Sequence, residues 1–99
     1  MPNYRYRAIR ITSDGTIQGN AGANDFIEVV GVLLSATADA SVILYNDNAA
    51  TSGDEVGTYR VLANTSQLFQ IGGGVMHKLK EGGYVNLTGA GAEVTIFIK

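Results

Sequence analysis

The sequence predicts an all-β protein, an antiparallel β-sandwich of about eight short strands. Charged residues are only 16% of the chain and 13 of its 99 residues are glycine. This balance favours short strands and tight turns over surface helices, which need many Lys, Glu and Arg residues. Apolar or alternating segments also recur between turn residues at a spacing of roughly 8 to 12 residues, which is typical of sandwiches and barrels. Because two stacked sheets bury their apolar faces on each other, a jelly-roll-like arrangement is expected.

The first strand is expected in YRYRAIRIT (4–12). It is followed by SDGT, in which Asp14 and Gly15 form a dipeptide that strongly favours a hairpin turn. TIQGNAGAND (16–25) then predicts at most a short strand before a loop rich in Gly and Asn. Residues 1–12 could serve either as this first strand or as an N-terminal arm.

The two most apolar segments of the first half predict core strands. FIEVVGVLLSAT (26–37) is apolar almost throughout, so it is expected to run through the middle of a sheet with both faces covered. Gly31 within it indicates a bulge or a bend. ADASVILYND (38–47) predicts the next strand, after a turn.

The second half predicts shorter elements. NAATSGD (48–54) is a polar loop, EVGTYRVLA (55–63) is a strand, and LFQI (68–71) is a short strand that enters a run of three glycines. VMHKLKEGG (75–83) can be interpreted as a strand or as one helical turn.

The C-terminal segments predict a closing hairpin. YVNLT (84–88) and AEVTIFIK (92–99) flank the loop GAG. Alternation along both segments places five apolar side chains on one face: Val85, Leu87, Val94, Ile96 and Ile98.

Length and charge limit the classes of function. A chain of 99 residues predicts a single domain, 1–99, with one core. Seven basic and nine acidic residues give a net charge of −2, which supplies no field to attract nucleic acid or an anionic membrane. Cysteine is absent, which excludes thiol catalysis and disulfides. The start has no apolar core of a signal peptide, and the longest aliphatic run (29–34) is far shorter than the ~20 residues of a membrane span. Synthesis in the cytoplasm without export is expected.

No set of residues predicts catalysis, a cofactor or a metal. His77 is the sole histidine, and no orienting carboxylate or nucleophile is paired with it in sequence. The stretch from Asn46 to Glu55 concentrates oxygen ligands, but it lacks the spacing of a calcium loop, so a solvated turn is favoured over a metal site. The glycine-rich segments 19–24, 72–74 and 89–91 precede no helix and end in no G-K-[ST], which favours turns over phosphate binding.

The segment YRYR is the one unusual surface signal. Tyr4 and Tyr6 share one face of the predicted strand, and Arg5 and Arg7 share the other. Tyr and Arg are enriched at the centres of protein interfaces because each combines a large contact area with directional hydrogen bonds. These four residues are candidates for partner binding, and an ordinary first strand remains the alternative.

Residues 29–99 contain a specific order of phrases. An aliphatic strand leads into a TADA turn (37–40), a strand ends in LYND (44–47), and the chain closes with GYV followed by AEVTI (83–85 and 92–96). This order, at positions 37–40, 44–47, 83–85 and 92–96, resembles the small virion proteins of tailed bacteriophages. The resemblance covers about seven tenths of the chain, and its motifs consist of turn and strand residues.

The resemblance implies a structural role in a virus particle. Among virion proteins of this size it favours capsid decoration, in which a β-sandwich, often a homotrimer, sits on the major capsid protein and stiffens the shell. An N-terminal arm of such proteins commonly reaches a neighbour, which would give Tyr4, Arg5, Tyr6 and Arg7 a use. The expectation is therefore a non-enzymatic decoration or cement protein located in the virion.

Two alternatives remain open at this stage. A tail, neck or fibre component would carry the same sequence features. A carbohydrate-binding module is the alternative from another class, because jelly rolls often bind glycans through tyrosines. Tyr45, Tyr59 and Tyr84 are the candidates for that role.

Overall fold

A computed structural model describes residues 7–17, 27–72 and 74–99 of the chain. These residues form nine β-strands in two antiparallel sheets and no helix, which confirms the predicted all-β sandwich. The strands are β1 Arg7–Ile11, β2 Gly15–Thr16, β3 Ile27–Ala36, β4 Ala40–Tyr45, β5 Glu55–Val61, β6 Thr65–Phe69, β7 His77–Leu79, β8 Tyr84–Thr88 and β9 Glu93–Ile98.

The strand order is that of a jelly roll. The first sheet has the order β1-β9-β3-β6, with β7 pairing along another part of β3, and the second sheet has the order β2-β8-β4-β5. β6 pairs with residues 32–36 of β3 and β7 with residues 27–29, so the two act as one interrupted strand. Counted in this way, each sheet has four strands. Among the described strands, β4 and β5 are the only two that follow each other in the chain and also pair with each other.

The core lies between the two sheets and consists of aliphatic side chains. Alternation along β4 and β9 buries every second residue, as expected for strands with one face on the core. β3 is buried along most of its length because it lies inside the first sheet and has neighbours on both edges. The fully buried side chains are Val29, Val32, Leu34, Val42, Leu44, Leu79, Val85, Val94 and Ile96.

The predicted irregularity at Gly31 is confirmed as a shift in the β3–β9 register between Val29 and Gly31. A Cβ on Gly31 would lie 3.3 Å from Cδ2 of Phe97, which is closer than most side-chain contacts. Glycine therefore allows the bulged backbone to approach β9.

The hairpin predicted at Asp14 and Gly15 is wrong. β1 belongs to the first sheet and β2 to the second, so the chain crosses between the sheets here. The Asp14 carboxylate accepts a hydrogen bond from the backbone N–H of Leu87 at 2.7 Å. Asp14 thus anchors the crossing segment on β8 instead of closing a turn between paired strands.

The predicted closing hairpin is also wrong. β8 lies in the second sheet and β9 in the first, and the chain crosses between them through the turn at Gly89 and Gly91, whose φ angles are +121° and +67°. The five apolar residues predicted to share a face do converge on one core, although they reach it from opposite sheets. Alternation gives the same pattern whether two strands pair side by side or face each other across a sandwich.

Two shorter elements differ from the prediction in position or type. The strand expected at residues 68–71 occupies Thr65–Phe69, because pairing with β3 recruits the polar residues that precede the apolar ones. The ambiguous segment 75–83 contains the strand β7 and no helical turn.

Candidate protein interaction surface

One lateral side of the sandwich is formed by β5 at the edge of the second sheet and by β6 and β7 at the edge of the first. Three ring side chains meet there: Tyr59 from β5, Phe69 from β6 and His77 from β7. The ring centroids of Tyr59 and Phe69 are 5.0 Å apart, and those of Tyr59 and His77 are 6.1 Å apart. The Tyr59 hydroxyl also hydrogen-bonds to Nε2 of His77.

Gly57 makes room for this pair. It lies on the same face of β5 as Tyr59, two residues earlier, and a Cβ at that position would lie 3.0 Å from both Nε2 of His77 and the hydroxyl oxygen of Tyr59. A larger residue would push the two side chains apart. The contact between Tyr59 and His77 therefore depends on the absence of a side chain at Gly57, two residues before Tyr59 on the same face of β5.

A cavity of about 490 Å³ opens beside these rings, and we call it the aromatic pocket. Its size lies in the range of about 300 to 1,000 Å³ that is usual for small-ligand sites. Its lining is mostly apolar and aromatic, with polar groups from two glutamines and from the Tyr59–His77 pair. The lining residues are Tyr59, Gln67, Leu68, Phe69, Gln70, Ile71, Met76 and His77.

The aromatic pocket is electrically neutral at physiological pH. Burial lowers the pKa of His77 below its ordinary value of 6.5, and burial raises the pKa of Tyr59 above its ordinary value of 10.0. Both shifts favour the uncharged form of the side chain, because a charge loses hydration between the two sheets. The pocket thus offers hydrogen-bonding atoms without a net charge.

The lowered pKa of His77 predicts a loss of stability in mild acid. The unfolded imidazole binds a proton near its ordinary pKa, while the folded one resists it, so the unfolded state binds more protons as the pH falls below 6.5. The free energy of unfolding should therefore be greatest above that pH and should decrease below it. Urea denaturation at about pH 7.5 and about pH 5.5 measures the difference, since most carboxylates titrate lower.

His77→Gln provides the control for this prediction, because the amide keeps a polar partner for the Tyr59 hydroxyl but does not titrate. The variant should show a smaller decrease in the free energy of unfolding between the two pH values than the natural protein. An equal decrease in both proteins would assign the pH dependence to other groups.

Three exposed apolar side chains lie along β6. Leu62 precedes the strand and is 72% exposed, Leu68 lies within it and is 47% exposed, and Ile71 follows it and is 59% exposed. We call β6, with these three side chains and the aromatic pocket, the β6 surface. Leu68 and Ile71 both line the aromatic pocket, and apolar side chains exposed beside a cavity are typical of a binding site, whereas isolated ones are common on any protein.

A second cavity, of about 530 Å³, borders the same strand at its other end. Leu62, Thr65 and Ser66 line it from the β6 side, Arg60 lines it from β5, and Gln67 contributes to both cavities. Concave surface therefore follows β6 along its length.

The residues predicted to bind a partner do not belong to the β6 surface. Tyr4, Arg5 and Tyr6 lie outside the described residues. Arg7 is exposed and begins β1, which is the opposite edge of the first sheet from β6. Partner binding by these four residues stays a prediction.

The loop from Asn46 to Glu55 uses its oxygen atoms to hold its own backbone. The Asp47 carboxylate accepts hydrogen bonds from the Asn48 N–H at 2.7 Å and from the Thr51 hydroxyl at 2.6 Å. Both hydrogen bonds lower the pKa of the Asp47 carboxyl group, and the bond from Thr51 has the larger effect. Glu55 accepts from the Gly53 N–H at 2.6 Å. Within residues 7–17, 27–72 and 74–99, no three His, Cys, Asp or Glu residues are placed to hold a metal ion together.

The three tyrosines proposed for glycan binding do not form one platform. Tyr45 and Tyr84 are paired across β4 and β8 with their rings edge to face at 6.3 Å, and Tyr45 is buried. Tyr59 points toward the aromatic pocket from another strand. A sugar ring that stacks on aromatic faces would find no flat exposed group of these three residues.

Sequence reasoning missed the side chains that define the β6 surface. The sequence predicts a strand that contains Leu68 and Phe69, but nothing in the order of residues shows that this strand lies at the edge of a sheet. The available signal was the stretch TSQLFQI (65–71), which is apolar at three positions and carries no charge. A strand of that composition becomes informative only once its place in the sheet is known.

In comparisons with known proteins, no family model, no curated protein and no solved structure matches this chain. None of the described residues forms a helix that is long and apolar enough to cross a membrane.

Proposed function

We propose that this chain is a non-enzymatic structural protein of a tailed-bacteriophage virion that binds the capsid surface and stabilises it, as a homotrimer. The resemblance of residues 29–99 to small virion proteins supports the particle role. The β-sandwich fold agrees with that class, and its function would depend on surfaces that bind proteins.

The observation that carries the proposal is the β6 surface. It combines exposed apolar side chains with concave, uncharged lining, which suits contact with another protein. The polar groups that line the pocket are two glutamines, a neutral tyrosine and a neutral histidine, and the last two hydrogen-bond to each other. This geometry favours recognition over proton transfer to a substrate.

Stabilisation of a shell follows from binding several subunits at once. A trimer presents three copies of each surface, so it binds more tightly when neighbouring capsid subunits stay together. A ligand that binds the assembled state and not the separated one shifts the equilibrium toward assembly. Each bound trimer would therefore oppose the loss of a single subunit.

The test uses particles of the phage that encodes this chain, prepared without it. Purified protein should sediment with these particles to saturation and should raise the temperature at which they release DNA, measured with a DNA-binding dye. Light scattering should give the mass of three chains for the free protein. Particles that bind no protein, or that bind it with unchanged DNA release, would contradict the capsid role. Immunogold labelling confined to the tail would support the tail-component alternative.

Removal of residues 1–6 tests the N-terminal contact. The truncated chain retains all five residues of β1, so we expect it to fold, while its affinity for particles should fall. The affinity should fall because the removed tyrosines and arginine would supply a large part of the contact area. Unchanged particle affinity would exclude this segment from the interface.

A further inference from the structure

We infer that β6 receives an extended, uncharged segment of a partner protein as an additional strand, with one large apolar side chain of that segment seated in the aromatic pocket. The inference rests on the proposed function only for the identity of the partner, the capsid protein. The mode of binding rests on the strand edges and on the pocket.

The first step is that β6 is the least protected sheet edge in the part of the chain that the structure describes. Proteins block sheet edges with charged residues, prolines or very short strands, because a free edge pairs with other chains. β1 carries two arginines, β2 has only two residues, β5 carries a glutamate and an arginine, and β7 has three residues, one of them a lysine. β6 has the sequence TSQLF, with no charge and no proline.

The second step is that β8 shows a protective device that β6 lacks. β2 pairs with only two residues of β8, Val85 and Tyr84. Beyond them, the N–H of Leu87 is satisfied by the Asp14 carboxylate at 2.7 Å. A carboxylate on the strand edge excludes an added strand at that position. Along β6, one edge pairs with β3, and no strand among the described residues pairs with the other.

The third step is that the side chains of β6 alternate between two apolar environments. Phe69 faces inward and forms part of the aromatic pocket, and Leu68 faces outward beside Gly31 and Phe97. A strand added to β6 would alternate in the same way, so successive side chains would reach the pocket and the outer apolar face. Strand addition of this kind takes affinity from backbone hydrogen bonds and specificity from pockets for alternate side chains.

The fourth step concerns the chemistry of the occupant. The pocket is neutral and mostly apolar, and β6 carries no charge to pair with a charged segment. Burial of a lysine or glutamate there would cost desolvation without compensation. A phenylalanine, leucine or similar side chain would fill the pocket, and uncharged polar residues would suit the positions on either side.

A second copy of β6 fits this requirement poorly. The large inward apolar side chain that another β6 could offer is Phe69, which already packs on Tyr59 of its own chain at 5.0 Å. Its other inward residues, Thr65 and Gln67, are polar. This argues against β6–β6 pairing, and the occupant we infer is a segment of a different protein.

The experiment uses five synthetic peptides of nine residues, acetylated and amidated. Threonine and valine alternate around a central residue, and a lysine stands at each end for solubility. The central residue is phenylalanine, leucine, tryptophan, glutamate or proline. Fluorescence anisotropy measures affinity, and NMR amide shifts locate the site. The first three peptides should bind and perturb residues 65–69, and the glutamate and proline peptides should bind at least about tenfold more weakly, the ratio that one lost apolar contact produces.

Two variants and a matched control locate the site independently. Leu68→Lys places a charge on the β6 edge, and Ile71→Glu places one at the pocket rim. Each should weaken the phenylalanine peptide at least about tenfold. Val56→Lys changes another partly exposed aliphatic residue, 39% exposed on β5, and should change affinity by less than about twofold. Unfolding midpoints confirm that each variant is folded.

Three results would overturn the inference: no binding by any peptide at millimolar concentration, equal binding of all five, or amide shifts perturbed only outside β6 and the lining of the aromatic pocket. Concentration-dependent dimerisation of the free chain that Leu68→Lys abolishes would assign β6 to a second copy. Failure of the proposed function is separate. Peptide binding at β6 by a chain that does not bind particles would refute the capsid role and leave the inference standing. Particle binding that Leu68→Lys does not weaken would keep the capsid role and refute the inference that β6 binds the capsid protein.

Discussion

Leu34→Ala is expected to lower the free energy of unfolding by about 3 kcal/mol. Leu34 is completely buried in β3, between its neighbours on β6 and β9, where its side chain packs in the core between the sheets. Truncation removes apolar contacts and leaves a cavity that β3 cannot close, because it is held on both edges. Urea denaturation followed by circular dichroism gives the change in the midpoint.

The matched control is Leu33→Ala, one residue earlier on the same strand. Leu33 points to the outer face of the first sheet and is half-buried. Its truncation should cost about 1 kcal/mol or less. Since a shift of one residue exchanges the two faces of a strand, equal losses for the two variants would contradict the register of β3.

Gly89→Ala is expected to lower the free energy of unfolding by about 3 kcal/mol or more, or to prevent folding. Gly89 has a φ of +121°, a backbone conformation that L-residues rarely adopt. An added Cβ would lie 2.7 Å from the carbonyl oxygen of Asp39 and 2.9 Å from Cα of Ala40. Both obstacles are backbone atoms, so a change of side-chain rotamer cannot relieve the contact. The thermal midpoint and the yield of folded protein measure the effect.

Gly53→Ala separates the two causes. Gly53 also has a positive φ, +98°, but an added Cβ there would meet nothing within 4 Å. This variant should therefore show only the conformational cost, about 1 to 2 kcal/mol. If Gly53→Ala and Gly89→Ala lower the free energy of unfolding by the same amount, the close approach of the Gly89 turn to Ala40 contributes nothing to the destabilisation of Gly89→Ala.

Strand identity was predictable from the sequence where apolar content was high. β3 and β4 occur within the predicted segments because long runs of aliphatic residues need burial on one or both faces. The bulge at Gly31 was predictable for a related reason, since a glycine inside an apolar strand indicates a departure from regular pairing. These signals are local, and a single segment contains them.

Strand pairing was not predictable in the same way. Asp14-Gly15 and the GAG loop both favour tight turns, yet each turn carries the chain from one sheet to the other. Alternation records which face is buried and does not record which neighbour covers it. A hairpin and a crossing between sheets therefore leave the same pattern in the sequence.

The β6 surface was the least predictable feature. The pocket takes Tyr59 from β5, Phe69 from β6, Met76 from the segment before β7 and His77 from β7 itself. Only the fold brings these residues together. Nothing in the sequence links His77 to its partner Tyr59, which lies 18 positions earlier. Edge position is likewise a property of the complete sheet.

The pairing of β1 with β9 determines how the protein would respond to a mechanical load. Arg7, at the start of β1, lies opposite Ile98, at the end of β9, so both ends of the described sandwich leave from the same point on the first sheet. Tension applied there would act along the hydrogen bonds, which run perpendicular to antiparallel strands. The bonds would break one after another, as in a zipper, instead of all together. A pull on the two ends is therefore resisted weakly, and a load that the protein is to withstand has to enter through the sides of the sandwich.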